Sequence, residues 1–125
     1  MREKIVLQET DEAVMEALRL ALELEGFVVF PLADDSGDFV DYIERLRPHV
    51  IMLDYKLDGH ICIVMCQRIK EKFPYLPVIA MSCNSNIHEE YNKVGFDAYL
   101  EKPFDLDLLY HIVRKHIASP GSFSV

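Results

Sequence analysis

Apolar runs of strand length recur along the chain, with helical patterns between them. Ile5-Val6-Leu7 opens the series, followed by Phe27-Val28-Val29-Phe30, Val50-Ile51-Met52-Leu53, Val78-Ile79-Ala80-Met81 and a shorter Ala98-Tyr99-Leu100. These runs are largely β-branched or aromatic and are bounded by acids, Pro or Gly, which predicts strands buried on both faces. Between them, Val14, Leu18, Ala21 and Leu22 keep a helical stripe, as do Phe39, Ile43 and Leu46. Ile61, Met65 and Ile69 lie four apart, and Leu106, Leu109, Val113 and Ile117 close the series. A sparser stripe of Ile87, Tyr91 and Val94 predicts a fourth helix within Asn84 to Val94. Gly26 stands where a glycine ends the first helix, and Pro48, Pro74 and Pro77 punctuate the later ones. Five strand-helix units in order predict an α/β domain with a parallel sheet, right-handed crossovers and five alternating helices on both faces.

Composition narrows the class. At 125 residues the chain is one domain, expected over 1–118, with 119–125 a flexible tail or the start of a linker. Thirteen basic against twenty-one acidic residues give a net charge of −8, which argues against a nucleic-acid partner because there is no basic excess to neutralise phosphates. No stretch reaches the ~18 apolar residues of a membrane span, and the N-terminus turns acidic too soon for a signal peptide. Three cysteines, Cys62, Cys66 and Cys83, form no disulfide framework and suit a reducing, cytoplasmic setting.

In an open parallel sheet the functional crevice lies at the carboxyl ends of the strands. After the first strand come Glu9-Thr10-Asp11-Glu12, after the third Asp54, after the fourth Ser82 and after the fifth Lys102-Pro103. Each residue alone has an ordinary role as a helix cap, a turn residue or a solvated side chain. Jointly they suit carboxylate phosphorylation: a nucleophile, acids for a divalent cation, and a hydroxyl plus a cation for phosphoryl oxygens.

From Lys4 to Ile117 the chain resembles the receiver domain of two-component response regulators, of the chemotaxis-regulator type. The segments that carry the resemblance are Pro48 to Asp54, Leu76 to Ser82, and Gly95-Phe96-Asp97-Ala98-Tyr99-Leu100-Glu101-Lys102-Pro103-Phe104. The resemblance implies a doubly wound, flavodoxin-like fold with strand order 2-1-3-4-5. It also implies Asp54 as phosphoacceptor, Ser82 as the switch hydroxyl, Lys102 as the phosphate-facing lysine with a cis peptide before Pro103, and Tyr99 as the aromatic switch. Such a domain is a signalling phosphoacceptor rather than an enzyme, with at most self-catalysed phosphotransfer and dephosphorylation. Its donor would be a histidine kinase or phosphotransfer protein. Its output would pass to a protein partner, an output domain elsewhere in the chain, or a second copy in a homodimer. The contact face implied is the fourth helix, fifth strand and fifth helix, with Ile87, Tyr91, Tyr99 and Leu106.

Two places depart from the family pattern. The adjacent acids that usually end the first strand are here Glu9-Thr10, so a carboxylate that ligates magnesium is replaced by a hydroxyl. Glu9, Asp54 and the backbone carbonyl of Lys56 remain as ligands for a weaker Mg2+ site, with Asp11 as an outside candidate. After Asp54 the chain has Asp58 where the family commonly has Pro, and Ile61-Cys62 where it has Asp-Gly. Asp58-Gly59 reads as a local turn.

Other chemistries fit less well. Cys62 and Cys66, four apart with His60 nearby, read as core packing rather than a metal site. The first strand is followed by no Gly-rich phosphate loop, which disfavours a nucleotide or flavin enzyme. A haloacid-dehalogenase phosphatase needs a second Asp two residues after its nucleophile, and Lys56 stands there. The alternative from a different class is a degenerate pseudo-receiver, a phosphorylation-independent interaction module, favoured by Thr10, Ile61 and Cys62.

Overall fold

The computed structural model describes residues 2–32, 39–55, 59–83 and 95–117. The expected fourth helix, residues 56–58 and the tail lie outside the described residues. Five strands, β1 (Lys4–Gln8), β2 (Val28–Leu32), β3 (Val50–Asp54), β4 (Val78–Ser82) and β5 (Ala98–Glu101), form one sheet in the order β2-β1-β3-β4-β5. Every neighbouring pair is parallel. Four helices are described: α1 (Glu12–Leu24), α2 (Phe39–Leu46), α3 (His60–Lys72) and α4 (Leu106–Ile117). This is the expected α/β architecture, with the reversal of strand order between β1 and β3 that opens a crevice at the carboxyl edge.

Alternation along each central strand builds two cores. Val6, Ile51, Leu53, Val78 and Ala80 point to one face, where they meet Phe39 and Ile43 of α2 and Met65 and Ile69 of α3. Ile5, Leu7, Val50, Met52, Ile79 and Met81 point to the other, against Leu18 and Leu22 of α1 and Leu109 and Val113 of α4. Because successive side chains of a strand face opposite ways, continuous apolar runs are what a sheet covered on both sides requires.

Three details differ from the sequence pattern. Pro31 lies inside β2, paired in register with Leu7, although the apolar run stops at Phe30. β2 is the outer strand, so its free edge has no ladder bond for the missing N–H to make. In α3 the buried stripe is Cys62, Met65, Cys66 and Ile69, while Ile61 is exposed. The spacing of three, four and seven follows one helix face more closely than strict fours do. Leu106, in the first turn of α4, is exposed.

Candidate functional site

The carboxyl edge of the sheet collects the residues that follow the strands. β3 ends at Asp54 and β4 at Ser82, and both are buried, as is Glu9 just past β1. Lys102 follows β5, and its main-chain N–H donates to the carbonyl of Ser82 at 2.7 Å. The peptide between Lys102 and Pro103 is cis, as the resemblance implies. The Lys102 ammonium lies 2.7 Å from Glu9 Oε2 and 3.2 Å from Asp54 Oδ1, so it bridges two buried carboxylates.

Burial opposes a charge on Lys102. The hydrogen bond to Glu9 and the charges of Asp54 and Glu9 outweigh it and hold the ammonium above the ordinary lysine range. Thr10 is turned toward the same group: its hydroxyl donates to Asp54 Oδ2 across a long 3.4 Å. Asp11 has other work. It caps α1, its Oδ1 accepting from the N–H groups of Ala13 and Val14, and its own N–H donates to Glu9 Oε1 at 3.2 Å. A carboxylate in that position satisfies helix donors that would otherwise lack partners.

The structure thus brings Glu9, Asp54 and Lys102 into contact, with Ser82 on the adjoining strand end. The backbone of Lys56 lies outside the described residues. Tyr99 is half-buried on β5, opposite Ala80 in register and packed on the α2–α3 side of the sheet. Among the described residues, three or more His, Cys, Asp and Glu side chains nowhere cluster as a metal site. Cys62 and Cys66 are buried, and burial pushes the Cys66 thiol up to about 12 and the Cys62 thiol up as well. Both thiols pack within the core between α3 and the sheet, as small apolar side chains do.

Two features escaped sequence reasoning. Gln8 closes an apolar run and reads there as a polar flank, yet it is buried and its Oε1 accepts from the Asp54 N–H at 2.9 Å. Its strand position, on the face of Val6, was the available signal. The second is the packing of Tyr55 on Gly59. Gly59 caps α3 at φ 76, and a Cβ there would run into the Tyr55 ring. Tyr55 also stacks edge-on to Phe96, with ring centroids 6.1 Å apart, so the chain leaving Asp54 is tied to the start of β5. An apolar cavity of about 570 Å³ opens beside Lys102, between Val14 and Leu18 of α1 and Phe104.

The family model of the response regulator receiver domain matches residues 5–114. The receiver domain of a sensor histidine kinase from Pseudomonas aeruginosa PAO1, a structure with a magnesium ion coordinated in its active-site cleft, shares 26% identity. It aligns over 95% of this chain and 100% of its own, with TM-score 0.82. A response regulator from Thermotoga maritima shares 25% identity over 95% and 100% of the two chains, at TM-score 0.82. A response regulator structure from Chloroflexus aurantiacus J-10-fl, 23% identical over 95% and 100%, shares the fold at TM-score 0.84. The chain therefore belongs to the response regulator receiver domains of two-component signalling.

Proposed function

We propose that Asp54 accepts a phosphoryl group from a histidine kinase or phosphotransfer protein, and that the domain passes this change on through altered protein contacts. The observation that carries the reading is a buried site holding two carboxylates against one ammonium, with Asp54 as the acid on the central strand. In the transfer, an Asp54 oxygen forms a bond to phosphorus as the bond from phosphorus to the donor imidazole nitrogen breaks. That nitrogen keeps the electron pair. Lys102 then faces the added phosphoryl oxygens, and fixed charge aimed where charge accumulates is the main aid such a transfer needs. In this reading Ser82, at the end of the neighbouring strand, is the hydroxyl that follows the phosphoryl group, and Tyr99 is the aromatic that responds.

The oxygen donors present fit a magnesium ion: Glu9 and Asp54 would hold it, and one or two carboxylates plus water are a common set for this metal. When bound, it supplies further neutralisation of phosphoryl charge. Thr10 contributes a hydroxyl where the family has an acid, so affinity is expected to be low.

A second reading, a phosphorylation-independent interaction module, is favoured by Thr10, whose hydroxyl reaches Asp54 Oδ2 where the family has a magnesium-ligating acid, and by Ile61-Cys62 where the family has Asp-Gly. Incubation with acetyl phosphate over a magnesium series separates the two. Labelling of wild type that vanishes in Asp54→Asn supports the acceptor. No labelling at any magnesium concentration leaves the interaction module.

A further inference from the structure

Gln8 is a buried polar side chain in a position where the strand pattern calls for an apolar one. It shares a face of β1 with Val6, which packs into the α2–α3 core, and it is only 6% exposed. A buried amide costs stability unless it is hydrogen-bonded, so its partner indicates what it is for. That partner is the main-chain N–H of Asp54, at 2.9 Å. A main-chain N–H can only donate, so the amide must present its oxygen, and the orientation of the side chain is fixed. The last register pair of β1 and β3 is Gln8 with Leu53, which leaves Asp54 one residue beyond it. The Gln8 side chain reaches across that step.

The next residue after β1 is Glu9, whose carboxylate holds Lys102. Two consecutive residues therefore grip the two halves of the site: Gln8 the backbone of Asp54, and Glu9 the ammonium that faces the Asp54 carboxylate. We propose that Gln8 is a positioning residue for phosphoryl transfer, fixing the Asp54 backbone at the spacing from Glu9 and Lys102 that the acceptor needs. The inference rests on Asp54 being the acceptor, and transfer of this kind is governed by placement, where displacements near 1 Å can cost on the order of a hundredfold.

The test uses the full chain as wild type, Gln8→Met, which keeps length without a strong acceptor, and Gln8→Val, which suits a strand. Amide hydrogen exchange of the Asp54 N–H is followed by NMR beside acetyl phosphate labelling. The expected result is slow exchange at Asp54 in wild type and at least about tenfold faster exchange there in folded variants, with Val6 and Met52 still protected. The maximal labelling rate per folded molecule, with the folded fraction measured by circular dichroism, should fall about tenfold at an unchanged half-saturating donor concentration. Loss of folded protein alone lowers total labelling and leaves the rate per folded molecule unchanged. Fast exchange of the Asp54 N–H in wild type overturns the proposal without any variant. So does wild-type labelling by a folded variant whose Asp54 exchange has accelerated. Absence of labelling in wild type overturns the acceptor reading itself, and the positioning role falls with it.

Discussion

Two lysines hold opposite ends of the sheet, and they do so differently. At the amino end, Lys70 of α3 donates to Asp97 Oδ2 at 2.6 Å and to the carbonyl of Leu76 at 2.7 Å. Asp97 completes the brace by accepting from the Val78 N–H at 2.8 Å. One ammonium meets one carboxylate, and the side chains are 20% and 37% exposed. At the carboxyl end, Lys102 meets two carboxylates, with side-chain exposures of 16% for Lys102, 2% for Glu9 and 6% for Asp54. The first arrangement balances its charge and ties loops to strands. The second buries an excess of negative charge, which a fold does not need for its own stability. A balanced, wetter pair fits a structural brace, whereas an unbalanced, drier one is a candidate site for chemistry.

Removing the bridge should have the largest effect. Lys102→Met takes away the ammonium that Glu9 and Asp54 share. Labelling by acetyl phosphate should then drop by about a hundredfold or more, as when one charge-stabilising donor is lost. Labelling at the wild-type rate would mean the bridge is ornamental.

Gly59→Ala comes next. Both the positive φ and the Tyr55 ring oppose a methyl group there, and a loss of about 2–5 kcal/mol is expected in chemical denaturation. Gly26 has φ 97, but a methyl group added there would meet no other atom within 4 Å. Gly26→Ala therefore isolates the backbone cost and should lose about 1–2 kcal/mol. Equal losses at the two sites would contradict the close packing of Tyr55.

Alkaline pH sharpens the contrast further. The ammonium of Lys102 is held above its ordinary range, so its contribution is complete below the unfolded-state value near about 10.4 and declines as pH rises through the higher folded-state value. The stability difference between wild type and Lys102→Met should therefore be flat from neutral pH to about 9 and move against wild type above about 10.4. A difference that instead changed between about pH 5 and 8, where histidines titrate, would point to another group.

The smallest effect belongs to the brace. Lys70→Met should cost about 1 kcal/mol or less, as half-exposed ion pairs do, and leave labelling per folded molecule unchanged. A labelling defect there would erase the distinction between the two ends.

Much of this arrangement is legible in the chain before any fold is drawn. Two-sided burial leaves continuous apolar runs, and the residue after each run must emerge at the same sheet edge, which is why Glu9, Asp54, Ser82 and Lys102 can be grouped from sequence. What stays hidden depends on contact rather than period. Nothing in the order of residues says that Lys102 sits closer to Glu9 than to Asp54, although capping was one role open to the acids after β1 and is the one Asp11 fills. Gln8 is indistinguishable from a polar strand end until its partner across the sheet is known. The Asp58-Gly59 turn is visible, but the reason Gly59 admits no side chain lies in the ring of Tyr55, four residues earlier. The shift of the α3 stripe from Ile61 to Cys62 likewise reflects which side chains the sheet accepts.

The most direct test locates the phosphoryl group. Wild-type chain incubated with acetyl phosphate and magnesium, then digested and mapped by mass spectrometry, should carry one acyl phosphate, on the peptide containing Asp54 and on that residue. A label on Glu9 or any other carboxylate, or a fully unlabelled chain, would contradict the account.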